Sequence, residues 1–319
     1  MTPVHGQIRL GLHLVGKNLR MIEAEKNGER LAIRTVSERI LSVPFDLRAI
    51  GNEANAALFA GAINQMLDQK AIRTTTVSLA LDRRMLFFKK IKLDQGLSET
   101  QVRDHVEWEI EQMLILPRNN YNIGHERLGD YGHQYNRLLI AAVRKDVINY
   151  LNEIFSHTPL TLQVVDLDIL SSIRALYASE NRRPDMLSAL VDFNEYGIDL
   201  TLIKDGKFAE STEIPASAAS ATKIVDNGAE PVAHTISDAL NHLMEQMDED
   251  TVTKSLESIY LCGDQADVEV IPHLQGLQDT ADIRFADPFE HFNLYLEAET
   301  DPLVKNKPEK FLATAGMVF

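Results

Sequence analysis

The residues of this chain that could do chemistry are few, and most of them stand next to turns. Gly11-x4-Gly16-Lys17-Asn18 comes close to a phosphate-cradling P-loop, but asparagine stands where serine or threonine would hold magnesium. The residues between the glycines alternate like a strand, and another strand follows. A P-loop needs strand, loop, then helix, so that reading is rejected. Asp166 and Asp192 each close an apolar run and could form a carboxylate pair that positions a cation through water. The simpler expectation is that each caps the turn after its strand. The ten histidines contain no i,i+4 pair, so no zinc motif is present, and His105 and His234 read as solvated or capped. No Gly-x-Ser-x-Gly elbow occurs. Cys262 lies in an apolar strand and reads as packing, not as a nucleophile. No catalytic residue and no metal site are assigned.

The charge balance narrows the partners. A formal charge of −15 over 319 residues argues against nucleic acid and against broad adhesion to anionic lipid. A single cysteine excludes an internal disulfide framework and points to a reducing compartment. Met1 to Gly6 lacks the charged start and apolar stretch of a secretion signal. No run approaches the ~18 apolar residues of a membrane span. The purest run, Leu138 to Val143, reads as a buried strand. A cytoplasmic protein that reaches a membrane only through partners is expected.

The elements that must position these residues form a repeat. Residues 7–14, 19–25 and 30–36 alternate as strands, with Lys26-Asn27-Gly28-Glu29 as a turn. A helix is expected over 52–70, with Ala54, Ala57, Leu58, Ala62 and Met66 near helical spacing, then a strand at Thr75–Leu81. The second half has Leu187–Phe193, an alternating strand through Ile198, Leu200 and Leu202, a turn at Asp205-Gly206, and Lys207–Ile214. A helix over about 230–248 carries Val232, Ile236, Leu240, Leu243 and Met247 on one stripe, and Ser258–Cys262 follows. Each half continues with a strand (162–166 and 281–286) and a helix (168–180 and about 308–319). Segment 215–231 reads as a loop or short helix, and 298–308 as a connector. This order describes a duplicated, actin-like (ribonuclease H-type) α/β fold. The first lobe takes 1–82 and 162–186 and is completed by 308–319; the second takes 187–307. An α/β subdomain at 83–161 interrupts the first. Its parts are a strand at Met85–Leu93, a helix opened by the capping box Ser98-x-x-Gln101 and ended by Pro117, strands near 121–128 and 137–143, and a helix at 145–157.

Several stretches then resemble the PilM family of type IV pilus assembly proteins. Val77 to Met85 with Lys89-Lys90-Ile91 resembles the strand pair that opens its extra subdomain, and Glu107 to Gln112 with Leu116-Pro117 resembles that subdomain's helix. Leu139 to Val147 is similar to the next strand and helix start. Val164-Val165-Asp166, Val191-Asp192-Phe193, Asp205-Gly206-Lys207, Ile259 to Gly263, Asp287-Pro288-Phe289 and Ala313 to Gly316 follow in the family's order. The resemblance covers most of the chain. It implies an actin-like protein related to FtsA and to the cytoplasmic part of GspL, placed at the inner-membrane face and bound to the N-terminal peptide of PilN.

Against that pattern the nucleotide site looks degraded. Two glycine-bearing hairpins must let backbone N–H groups reach the phosphates. The family's first hairpin usually reads glycine-x-aspartate-x-glycine. Here His13 stands for the acid and Val15 for the second glycine, and a shift to Gly16 restores only the turn. In the second hairpin Asp192 is kept, but Asn194 stands for glycine. After Gly263 come Asp264 and Gln265 in place of glycines, and an acid there repels phosphate. The segment after Pro215 is short for a lobe over an adenine. Gly16, Lys17, Asn18, Asp166, Asp192, Asn194 and Gly263 are therefore the expected remains of a nucleotide site, with no cofactor required. An active ATPase holding Mg-ATP in the interlobe cleft is the alternative, and a sugar or acetate kinase a third reading.

The partner surface is sought on the inserted helix. Val102, Val106, Ile110 and Met113 form its core stripe, while Trp108 and Ile115 lie on another face. That second strip either packs on the main domain or anchors a peptide, a role in which tryptophan is favoured. In the family the PilN peptide lies beside this subdomain and partly extends a sheet. The resemblance therefore implies contacts from Met85, Leu86, Phe87, Phe88, Trp108 and Ile115. It implies a scaffold between a pilus motor ATPase and a membrane platform, with self-association left open.

Overall fold

The structure is a computed structural model and describes residues 7–28, 30–131, 135–178, 186–216, 228–247, 255–290 and 292–319. It forms two compact units. The first holds Met1–Asp168 with Tyr295–Ala298 and Val318. The second holds Ile169–Leu294 with Glu299–Met317 and Phe319.

The first unit opens with a long ribbon, β1 (Gln7–Asn27), antiparallel to β2 (Arg30–Phe45). Helix α1 (Glu53–Gln69) and β3 (Thr76–Leu81) follow. Gly11 pairs with Ser78 of β3, while the Glu23 carboxylate accepts from Thr74 Oγ1 at 3.1 Å. A straight strand would carry Glu23 about 40 Å from Gly11, whereas Thr74 lies at most about 14 Å from Ser78. The ribbon must therefore fold back between those points. Gly16, with φ of 52°, and exposed Lys17 mark the bend. The strands expected at 7–14 and 19–25 are the two arms of this one ribbon. β2 runs past the expected end at 36, because it bulges: Gly16 faces Phe45 and Asn18 faces Ile40.

α1 is capped by Asn52, whose side chain accepts from Asn55 N. Its buried face is Ala56, Phe59, Ala60, Ile63, Met66 and Leu67. Of the residues picked out by spacing, Met66 is buried and Ala62 packs on the core, while Leu58 is 49% exposed and Ala54 and Ala57 are exposed. Phe59 and Ile63 offer more apolar area than the alanines, and they set the helix rotation.

β4 (Leu86–Asp94), α2 (Glu99–Glu111), β5 (Tyr121–Tyr131) and β6 (Tyr135–Arg144) make a three-stranded antiparallel sheet, ordered β4-β6-β5, with its own core. Ser98 forms the capping box with Gln101, and Val102, Val106 and Ile110 are buried. α3 (Lys145–Ser156) does not join that small core. Its Val147, Tyr150, Leu151, Ile154 and Phe155 are buried with α1 and the main sheet, and Tyr150 Oη donates to Asn52 O at 3.0 Å. β7 (Thr161–Leu167) completes the main sheet, parallel to β3.

The second unit contains most of α4 (Asp168–Ala178), then β8 (Leu187–Asn194), β9 (Gly197–Lys204) and β10 (Lys207–Pro215) as an antiparallel meander. α5 (Ala229–Glu245), β11 (Ser258–Cys262), α6 (Val270–Leu277) and β12 (Asp282–Phe285) follow. The sheet order is β10-β9-β8-β11-β12, with the last pairs parallel. The first unit's meander, followed by parallel β3 and β7, has the same plan. Helix α6 was not anticipated. Most of segment 215–231 lies outside the described residues. The C-terminal helix is a 3₁₀ turn, Pro308–Phe311, running into a helix at Leu312–Gly316. Ser171 Oγ donates to Ala313 O at 2.6 Å, and a Cβ on Gly316 would fall 1.9 Å from Ser171 O. These close contacts hold α4 and the C-terminal helix in one unit.

Candidate functional site

The residues expected at a nucleotide site fall in two groups. In the first unit, His13, Ala80 and Asp166 stand in register on the neighbouring strands β1, β3 and β7. Two strand spacings put His13 and Asp166 about 10 Å apart. His13 is buried at 7% exposure, where a cation-placing acid would be needed. Asp166 is half-buried and accepts from Leu167 N at 2.8 Å, the next residue of the same strand. Gly16 keeps the positive φ of a tight turn, Lys17 is exposed, and Asn18 pairs back onto β2.

Sequence reasoning passed over Asp82 at the end of β3. It is 2% exposed, and its carboxylate accepts from Arg84 N at 2.8 Å and from Arg84 Nη1 at 3.1 Å. Asp168 accepts from Arg83 N at 3.3 Å. An acid at the carboxyl end of a parallel strand, followed by two arginines, was the available signal. The arrangement closes the turn with internal bonds.

In the second unit Asp192, Asn194 and Gly263 do come together. Cys262 pairs with Asp192, and Gly263 follows with φ of 96°. A Cβ on Gly263 would sit 2.2 Å from Asp192 Oδ1 and 2.3 Å from Phe193 O. This glycine is held by the approach of its own loop to β8. Asn194 is buried at 7%; its amide donates to Asp199 Oδ2 at 2.9 Å and its carbonyl accepts from Tyr196 N at 2.9 Å. The side chain that replaces a glycine thus ties the β8–β9 turn together. Gln265 N donates to Phe193 O at 3.1 Å, and Asp264 lies 3.5 Å from Lys310. Among the described residues no group of three or more acids, histidines or cysteines could hold a metal ion.

The expected partner surface is divided. Met85 is 3% exposed and belongs to the first unit's core. Leu86 packs toward that same core, and Phe87 packs into the small core against Tyr121, with ring centroids 6.2 Å apart. Phe88 is half-buried. Strand alternation separates Phe87 from Leu86 and Phe88. β4 is an edge of its sheet, and Lys89 ties it to α2 through Glu109 at 3.0 Å. Trp108 is 55% exposed beside His105, and Ile115 is 83% exposed.

Three comparisons bear on this arrangement. Residues 11–214, roughly two thirds of the chain, match the profile of the type IV pilus assembly protein PilM. A chain of the PilM-PilN type IV pilus biogenesis complex is 17% identical, with a TM-score of 0.74 over 97% of each chain. A protein of unknown function with an actin-like ATPase fold, from Bacteroides thetaiotaomicron, is 13% identical, with a TM-score of 0.50 over 88% of this chain and 91% of that one. The cytoplasmic domain of EpsL, an inner membrane component of the type II secretion system of Vibrio cholerae, is 11% identical, with a TM-score of 0.48 over 97% of this chain and 94% of that one. No curated protein sequence matches. The expected actin-like fold is the observed one.

Proposed function

This chain belongs to the PilM family of type IV pilus assembly proteins, and from that premise we propose that it is a cytoplasmic scaffold of an inner-membrane pilus platform. Its task is to hold the N-terminal peptide of a PilN-like membrane protein. One observation carries the reading: β4 is an edge strand, and the neighbouring helix α2 leaves Trp108 more than half exposed. An edge strand can take an added strand through its backbone, and an exposed tryptophan can supply the anchor. The likeness to the PilM-PilN complex supports this choice of partner. Among the described residues no helix is long and apolar enough to cross a membrane, which accords with attachment through a partner.

The turns of the former nucleotide site support binding over catalysis. Asn194 is bonded within its own hairpin, Asp264 is paired with Lys310, and His13 cannot place a cation as a carboxylate would. The test is a titration of the protein with a PilN-like N-terminal peptide. Trp108→Ala should weaken binding about tenfold or more, as loss of an interface anchor does. Unchanged affinity would remove Trp108 from the contact. Melting with and without Mg-ATP tests the catalytic reading, since a ligand that binds the native state must raise its stability. A clear rise would favour the ATPase.

A further inference from the structure

A second surface lies on helix α1. Between β2 and α1 the first unit has an open cleft of ≈ 320 Å³, lined in part by Arg39, Ile40, Val43, Ala57, Leu58 and Gly61. Ile40 is 66% exposed and Leu58 49%. Scattered exposed apolar residues need no explanation, but two that flank a cleft do.

Three separate features give this cleft the character of a receptor. The first is Gly61. Glycine is the poorest helix former after proline, and it is tolerated inside helices chiefly where something must approach closely. A Cβ on Gly61 would meet nothing within 4 Å. Nothing in its own unit requires the glycine, and the open space above it lies in the cleft. The second is backbone. Where β2 bulges, Leu41, Ser42 and Val43 line the cleft and have no partner on β1. Strand backbone without a partner on its neighbour can pair with an added strand. The third is charge. Arg39 is the one charged residue of the lining, it is half-buried, and among the described residues it forms no ion pair. In a chain of net charge −15, a cation set alone in an apolar cleft selects for a carboxylate.

We infer that this cleft binds an extended, acidic peptide segment of a partner protein. The segment pairs with the bulged stretch of β2, places a carboxylate against Arg39, and lays an aliphatic side chain over Gly61. Residues two apart on a strand share a face, so the recognised pattern is an Asp or Glu two positions from a Leu, Ile or Val.

The probe is a library of random short peptides displayed on phage and selected on the intact protein. Enriched peptides are then titrated by fluorescence anisotropy. Gly61→Phe plugs the cleft, and the open space at its Cβ means it should fold normally; melting temperatures check this for every variant. The expected result is enrichment of the acid–aliphatic pattern, with affinity lost by about tenfold or more in both Gly61→Phe and Arg39→Glu. Binding to Arg39→Glu should return when the peptide's acid is exchanged for lysine, and Trp108→Ala should bind as the wild type does. Failure to enrich any peptide overturns the inference, as does a peptide that binds Gly61→Phe undiminished. Self-association that Gly61→Phe abolishes would make the occupant a second copy of the chain and overturn the peptide assignment.

Discussion

Replacing Gly263 by alanine separates two explanations of one residue. If the glycine persists only as a relic of phosphate binding, alanine should fold with near-normal stability. If the second unit's own packing demands it, alanine should be costly. The structure favours packing. Alanine's Cβ would lie 2.2 Å from Asp192 Oδ1, 2.3 Å from Phe193 O and 2.8 Å from Phe193 N. The Asp192 carboxylate could swing aside, but the Phe193 atoms are backbone in β8, which is paired on both sides by β9 and β11. Relief therefore requires a strand shift. A φ of 96° adds conformational strain of roughly 1–3 kcal/mol for a residue with a Cβ. Together these predict a loss of roughly 3–5 kcal/mol, in the range reserved for a named steric cause. For a unit of this size that lowers the melting temperature by about 10 °C. Gly28→Ala is the control, because Gly28 has φ of 62° with nothing within 4 Å of its Cβ, so it reports strain alone. Circular dichroism melts of the three proteins decide the matter. A Gly263→Ala melt within about 2 °C of wild type would refute the packing argument.

Gly61→Ala should have the opposite sign, stabilising the protein by about 0.8–1 kcal/mol in urea titrations, because it improves helix propensity without meeting any atom. Asn194→Ala removes a buried hydrogen bond to the Asp199 carboxylate and should cost about 1.5–3 kcal/mol in the same assay. Tyr295→Phe probes pH. The Tyr295 hydroxyl donates to Glu25 Oε2 at 2.6 Å, and this bond holds the Glu25 carboxyl below its usual range, with Asn27 and Arg34 assisting. A depressed carboxyl contributes stability above its unfolded pKa and loses it as pH falls through the folded one. The gap between wild type and Tyr295→Phe should therefore be small but full at neutral pH, and should close as the solution becomes more acidic than the ordinary glutamate range.

Much of the fold was legible because alternation and helical stripes are local. Leu10, Leu12 and Leu14 marked a buried strand face, and Ser98 with Gln101 marked a helix start; both stand in the structure. What was not legible depended on competition between distant groups. Spacing did not single out the face of α1, because its alanines fit a stripe as well as Phe59 and Ile63 do, and only the opposing sheet decides which rotation buries more area. Met85 looked like the start of a surface strand, yet the 3₁₀ turn capped by Asp82 directs it into the core. The cleft under Arg39 was invisible, since a bulge in β2 leaves no mark that spacing alone can show.

The residues at the turns where an actin-like fold would meet phosphate have structural work of their own, and this supports the scaffold proposed above. A tight turn needs backbone freedom whether or not a phosphate is present, so Gly16 keeps its positive φ and Gly263 its close approach. A carboxylate is needed only by a cation, and His13 stands where the resemblance to the PilM pattern expects one. Asn194 uses both ends of its amide inside the β8–β9 turn, and Asp264 finds its counter-charge in Lys310. A triphosphate entering the β8–β9 turn would have to break internal bonds before making its own. The sheet's demand on the chain and the nucleotide's demand therefore come apart at these positions. On the proposed reading the first is met and the second is not, and the fold then serves as a frame for protein contacts.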